Sequence, residues 1–145
     1  MAFQEYTYSG SARPWQNAIR ILPEPENMRL LVIDPARPFL EAARHCAEEV
    51  DGCRVSVADS AEAGLSAARA MRPEVVLADH ELRTRDGRSV IPLLRQLLPE
   101  ATLVCLSLDD EGEPARALWR RSADVCLEKP RLAEALPELL AGALH

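Results

Sequence analysis

From Arg29 onward, short apolar runs alternate with segments of helical spacing. Leu30–Ile33 is an apolar run that stops at Asp34. Over Phe39–Val50, the positions Phe39, Leu40, Ala43 and Ala47 fall on one helical face. Cys53–Ala58 alternates as a strand does. Ser60 stands where an N-cap belongs for a helix running to about Met71, and Pro73 follows. Val75–Ala78 is apolar at every position, as expected of a strand covered on both faces. A helix over Ser89–Leu98 accommodates Pro92 in its first turn. Thr102–Leu106 and Val125–Leu127 are the next strands, with a helix predicted between them over Pro114–Arg121. Leu132–Leu144 is the last helix, which Pro137 should kink or mark as a first turn.

Five strand–helix units with short connections predict a parallel sheet covered by helices on both faces. Ligands of such sheets bind beyond the carboxyl ends of the strands, where the strand order reverses. The polar residues at those ends are Asp34, Asp79, Ser107 and Lys129. One such residue would be a cap or turn former. Four of them converging on one rim point to chemistry. The segment VVLADHELRTRDG, residues 75–87, carries the sharpest signal, because a buried run ends on an acid and a polar loop with Asp86-Gly87 follows.

Composition narrows the function. With 145 residues, 48% hydrophobic and 28% charged, the chain can build one ordinary core. No apolar stretch approaches the roughly 20 residues of a membrane span. The opening MAFQEYTYSGSARPWQNAIR has no apolar signal region, so the expected location is the cytoplasm. The net charge of −6 argues against direct binding of nucleic acid, and Arg116, Arg120 and Arg121 read as a solvated helix face. Cys46, Cys53, Cys105 and Cys126 form no CxxC pair and have no histidine at zinc-finger spacing. They read as free thiols in a reducing compartment. His80 beside Asp79 is a structural residue on this reading, since adjacent strand positions face opposite ways.

These motifs together resemble the receiver domain of two-component response regulators. PEVVLADHELRTRDG (residues 73–87) is similar to the family's phosphoacceptor segment, and SADVCLEKP (122–130) to the segment ending in Lys-Pro. LVCLS (103–107) is similar to the strand ending in Ser or Thr, and RLLVID (29–34) to the first strand with its acidic end. The resemblance covers residues 29–144 without a gap. It implies a flavodoxin-like (βα)5 receiver fold, α/β class, with strand order 2-1-3-4-5. It implies a signalling domain, not an enzyme. Asp79 would be the phosphoacceptor, attacking a phosphohistidine on a histidine kinase or phosphotransfer protein to form an acyl phosphate. Lys129 would offer a cation and Ser107 a hydroxyl to phosphoryl oxygens. Asp34 and Asp79 would hold Mg²⁺, and Asp86-Gly87 would shape the following turn.

The chain also departs from that family's pattern. Two adjacent acids usually follow the first strand, whereas Pro35 follows Asp34 here. Pro35 brings neither a carboxylate nor an N–H, so Mg²⁺ binding should be weakened, with Glu81 as a substitute ligand by side chain or backbone. Leu108 stands where a small residue usually leaves room for phosphate, and Cys126 where an aromatic ring usually reports phosphorylation. These departures keep a second reading open, a pseudo-receiver serving as a phosphorylation-independent interaction module. A haloacid-dehalogenase phosphatase would need Asp-x-Asp after the first strand, and a flavodoxin a Ser/Thr/Gly-rich loop, and DPARPF is neither.

Residues 1–27 form an arm ahead of the receiver region, 28–145. Phe3, Tyr6, Tyr8 and Trp15 make the arm too aromatic for an ordinary solvated tail, so it is expected to pack on its own domain or on a dimer mate. In the last helix Leu132, Leu136, Leu139, Leu140 and Leu144 form an inward stripe, and its Ala-rich outer face near Trp119 is a candidate partner surface. No output domain follows, so the expected mode of action is contact with an effector protein or a second copy, without membrane or nucleic acid.

Overall fold

In a computed structural model of the chain, the described residues are 28–108 and 122–141, with no side-chain description for Pro137, Leu139 and Ala141. Five strands, β1 (Met28–Ile33), β2 (Cys53–Ala58), β3 (Val75–Asp79), β4 (Thr102–Ser107) and β5 (Val125–Glu128), form one parallel sheet in the order β2-β1-β3-β4-β5. The described helices are α1 (Arg37–Glu48), α2 (Ala61–Met71), α3 (Val90–Leu97) and α4 (Leu132–Ala141). The aromatic arm, the helix expected over Pro114–Arg121, Trp119 and Leu144 lie outside the described residues.

Strand alternation sends successive side chains to opposite faces, and both faces are covered. Leu30, Val32, Val75, Leu77, Val104 and Leu106 pack with Leu40, Ala43 and Ala47 of α1 and Leu132, Leu136 and Leu140 of α4. Leu31, Ile33, Val76, Ala78, Leu103 and Cys105 pack with Leu65 and Ala68 of α2 and Val90, Ile91 and Leu94 of α3. Complete burial of one such leucine contributes about 1.5–3 kcal/mol. This two-sided demand is why β3 is apolar throughout. The outer strand β2 is only partly buried. Burial nonetheless pushes the Cys53 thiol up to about 11.

Local chemistry sets the element ends. Ser60 caps α2, its hydroxyl accepting the Ala63 N–H at 3.1 Å, as its position predicts. Pro92 sits in the first turn of α3, where a missing N–H costs nothing. Helix α1 starts two residues earlier than the apolar spacing indicates, because Pro38 is also tolerated in a first turn. Pro137 lies well inside α4, which begins at Leu132 after a 3-10 turn over Lys129–Arg131, so it does not mark the first turn. None of the four cysteines is in a disulfide. Cys105 is buried, and Cys46, Cys53 and Cys126 are half-buried.

Two arginine pins align the strands at the edge opposite the acidic rim. Arg29 pairs with Glu74 at 2.8 Å, and its guanidinium donates to the Met71 and Arg72 carbonyls at the end of α2. Arg95 donates to the Ala101 and Ser122 carbonyls and pairs with Asp124 at 2.8 Å. The same Asp124 oxygen accepts the Leu103 N–H at 2.9 Å. The pins hold β1 to β3 and β4 to β5 in register, so that their carboxyl ends fall on one rim.

Helix α2 approaches β1 closely at Gly64. A Cβ there would lie 2.6 Å from Cδ1 and 2.7 Å from Cγ2 of fully buried Ile33. Gly64→Ala should therefore lower the unfolding free energy by about 1–3 kcal/mol through overpacking, despite alanine's higher helix propensity. Urea denaturation measures this, and an unchanged midpoint would contradict the packing.

Candidate functional site

Register brings the two acids together. Ile33 lies opposite Ala78 on neighbouring parallel strands, so Asp34 and Asp79 follow side by side. Alternation turns both toward the α1/α4 face, as continuations of Leu30-Val32 and Val75-Leu77. Asp34 is fully buried and Asp79 is 6% exposed. Two carboxylates about 4 Å apart repel by roughly 4 kcal/mol at an effective dielectric of 20. A buried pair of this kind needs a counter-charge.

Lys129, at the end of β5, supplies it. Its Nζ lies 2.6 Å from Asp34 Oδ2 and 2.5 Å from Asp79 Oδ2. It donates a hydrogen bond to Asp79. The contact with Asp34 is an ion pair without hydrogen-bond geometry, which leaves the buried Asp34 Oδ2 with no hydrogen-bond donor. The other oxygen of each acid is held by its own backbone. Asp34 Oδ1 accepts the Ala36 N–H at 2.8 Å, and Asp79 Oδ1 accepts the Glu81 N–H at 2.7 Å. Both acids are thus fixed in the same way, by a turn on one side and by the lysine on the other. Burial pulls the Lys129 ammonium down, but its close contacts with the Asp34 and Asp79 carboxylates outweigh it, and its pKa lies above the ordinary 10.5.

Asp79 and Lys129 open into a cavity of about 430 Å³ lined also by Pro35, Ala36, Phe39, Glu81, Leu108 and Pro130, with Asp34 buried behind them. The Phe39 ring centroid is 5.3 Å from Lys129 Nζ, a cation–π distance. The sequence reading did not single out Phe39. Its signal is faint, an aromatic on a helix face whose other members enter the core. Leu108, 63% exposed, stands at the cavity mouth. Glu81 is exposed at the rim. Ser107 closes β4 one step beyond Leu106, the residue opposite Asp79. By alternation it belongs with Leu103 and Cys105 on the α2/α3 side, and its hydroxyl is not among the described groups bound to Asp79. His80 is buried, and its N–H donates to the Leu106 carbonyl at 3.0 Å, in keeping with a structural place.

The loop after Asp79 is closed by its own polar groups. The Gly87 N–H donates to the Thr84 carbonyl at 2.9 Å, and Gly87 has φ +87°, a conformation that favours glycine. The Thr84 hydroxyl bonds Asp86 and, with Arg88 nearby, holds that carboxyl below the usual range. Asp86-Gly87 therefore forms the turn that leads into α3.

The family model described as response regulator receiver domain matches residues 30–141. The chain belongs to that family. It is 34% identical over 91 residues to the transcriptional regulatory protein MctR of Rhizobium johnstonii, covering 62% of this chain and 42% of that protein. It is 33% identical over 112 residues to protein-glutamate methylesterase/protein-glutamine glutaminase 2 of Anaeromyxobacter dehalogenans, covering 77% and 33%. The chain thus spans less than half the length of these curated relatives. Among solved structures, a receiver domain protein from Clostridium thermocellum superposes with TM-score 0.67 at 23% identity, covering 81% of this chain and 94% of that one. A CheY-like receiver protein from Methanospirillum hungatei gives 0.63 at 18%, covering 80% and 95%. At such identities the likeness shows the fold alone, and it is the receiver fold.

Receiver domains typically bind Mg²⁺ at the phosphorylation site. The residues of this receiver domain fit such a group in kind. Asp34 and Asp79 offer the all-oxygen chemistry of a hard cation, and Asp34 Oδ2 is a buried oxygen without a hydrogen-bond donor. Pro35 adds no oxygen side chain, and no cluster of three or more candidate metal ligands occurs among the described residues.

Removing the shared ammonium should be costly. Lys129→Met should lose about 3–5 kcal/mol at neutral pH, because it leaves two buried carboxylates unpaired. The folded pKa of Lys129 lies above the unfolded one, so this contribution is full below pH 10.5 and fades as the pH rises through the folded value. The gap between the unfolding free energies of the two proteins should be constant below pH 10.5 and narrow above it, and a gap that stays constant into the alkaline range would contradict the pairing.

Proposed function

We propose that this receiver domain accepts a phosphoryl group on Asp79 from a phosphohistidine of a histidine kinase or phosphotransfer protein, and signals through protein contacts. The observation that carries the reading is the Asp79–Lys129 contact at 2.5 Å at the floor of an open cavity. An Asp79 oxygen attacks phosphorus, the bond from phosphorus to the imidazole nitrogen breaks, and the imidazole leaves with that electron pair. The product is an acyl phosphate. Such a transfer depends on alignment and on neutralising charge at the phosphoryl oxygens.

Lys129 turns its ammonium from the carboxylate pair to a phosphoryl oxygen, and Phe39 steadies the cation at the cavity wall. Ser107, at the end of the neighbouring strand, donates its hydroxyl once the phosphoryl group extends past the strand ends. Asp34 and Asp79 would hold Mg²⁺ with Glu81 at the rim, and the bound ion supplies positive charge against the phosphoryl oxygens. Pro35 makes that binding weaker than a second acid would. Leu108 narrows the entrance and favours a donor that is itself held against the rim. With Cys126 at the strand-five position, the response to phosphorylation does not run through an aromatic ring there. The output is contact with an effector or a second copy, in the cytoplasm. In support of the location, no described helix is long and apolar enough to cross a membrane.

Incubation with acetyl phosphate and Mg²⁺, or with a phosphorylated phosphotransfer protein, should add one hydroxylamine-labile phosphoryl group, read by intact mass. The adduct should vanish in Asp79→Asn. An adduct that survives that substitution would refute the assignment. No adduct from either donor would leave the alternative, a phosphorylation-independent interaction module. Pro35→Asp should tighten Mg²⁺ binding by roughly tenfold or more, since it adds a carboxylate beside Asp34. Calorimetric titration without any phosphodonor reads that change.

A further inference from the structure

The four cysteines divide between the two faces of the sheet. Cys46 and Cys53 pack against the cluster on the α1/α4 side, and Cys105 and Cys126 against the cluster on the α2/α3 side. Cys105 and Cys126 are also direct partners in the parallel pairing of β4 with β5. Residues 106–125 separate them in sequence, so no local motif announces the pair. Neighbouring strands lie about 4.8 Å apart. In-register partners on one face therefore stand within the Cα separation of roughly 4.4–6.8 Å that a disulfide spans. The Cβ atoms must approach to about 3.5–4.5 Å. Strand β5 can supply that approach, because it is only four residues long and pairs with β4 alone among the described strands.

We propose that Cys105 and Cys126 form a reversible dithiol–disulfide couple, oxidised by low-molecular-weight disulfides of the glutathione type. Exposure sets the order of events, since Cys126 is half-buried and Cys105 is 1% exposed. The Cys126 thiol gives its proton to solvent, and its sulfur attacks one sulfur of the small disulfide. A bond forms between the two sulfurs, the small disulfide's S–S bond breaks, and one small thiolate leaves with the electron pair and takes up a proton. The Cys105 sulfur, deprotonated in turn, attacks Cys126 Sγ and releases the second small thiol. Two protein thiols are oxidised to one disulfide, and one small disulfide is reduced to two thiols. A reducing compartment returns the couple to the dithiol, as befits a transient, sensing bridge.

The other two cysteines are poorly placed for this chemistry. They lie across the sheet, and burial pushes the Cys53 thiol up to about 11, which leaves little thiolate at neutral pH. The bridge would fasten β4 to β5 just before β4 ends at Ser107 and β5 leads into Lys129. Oxidation would thus fix the spacing of two rim groups from the opposite face of the sheet. The couple does not depend on Asp79 being a phosphoacceptor.

The test uses the full chain, reduced and then incubated with glutathione disulfide in native buffer. Its mass should fall by two hydrogens, and two of the four thiols should remain open to alkylation. Peptide mapping should join the Cys105 and Cys126 peptides, and dithiothreitol should restore all four thiols. Cys105→Ala should hold one glutathione on Cys126, and Cys126→Ser should form no bridge. Should Cys105→Ala fold poorly, mapping of the parent alone decides. Four alkylatable thiols after oxidation, a lasting glutathione adduct in the parent without a bridge, a bridge joining any other pair, or a Cys105–Cys126 bridge that forms only in urea would overturn the couple.

Discussion

One ammonium shared by two buried carboxylates is the constraint around which the rim is organised. Parallel pairing of β1 and β3 places Asp34 beside Asp79, with fully buried Asp34 able to reach no bulk water. Sheet formation therefore creates an electrostatic cost that sheet formation alone does not offset. Lys129 relieves it only if β5 ends at the same level as β1 and β3. The Arg95–Asp124 pin holds β5 against β4 there, and Arg29–Glu74 does the same for β1 and β3. The arginines at one edge of the sheet thus set the chemistry at the other.

The same contact links stability to function. A carboxylate held by a backbone N–H on one oxygen and a cation on the other is fixed in orientation, and fixed orientation is what an in-line transfer requires. It is also masked, because the cation that steadies it covers it. On the proposed function, a donor would have to replace the interaction it disrupts. The apolar mouth lined by Leu108 and Phe39 would give a protein donor surface to bury while it does so.

Much of this arrangement is legible in the chain. The apolar runs ending on Asp34, Asp79, Ser107 and Lys129 identify the strands, and the order of those runs identifies the rim. Ser60 and Pro92 mark helix starts because capping and first-turn proline are local rules. What is not legible depends on juxtaposition. Nothing near Lys129 in sequence indicates that it touches Asp34 as well as Asp79, because those contacts join three strand ends. Phe39 reads as one more core position on a helix face until the fold turns its ring toward the ammonium. The apolar pattern assigns Arg95 no role, yet it ties α3 to the starts of β4 and β5 through carbonyls that no side-chain pattern reveals. Strand ends extend by one residue beyond the apolar runs, since backbone pairing continues to Asp79, Ser107 and Glu128 after hydrophobicity has stopped.

The most direct measurement of the shared counter-ion is a double-mutant cycle on Asp34→Asn and Lys129→Met, read by equilibrium unfolding at neutral pH. If one ammonium neutralises both acids, the double variant is more stable than the two single losses add up to, with a coupling of about 0.5–3 kcal/mol. Losses that add within about 0.3–0.5 kcal/mol would show that Asp34 and Lys129 do not act as a pair, and would contradict the account.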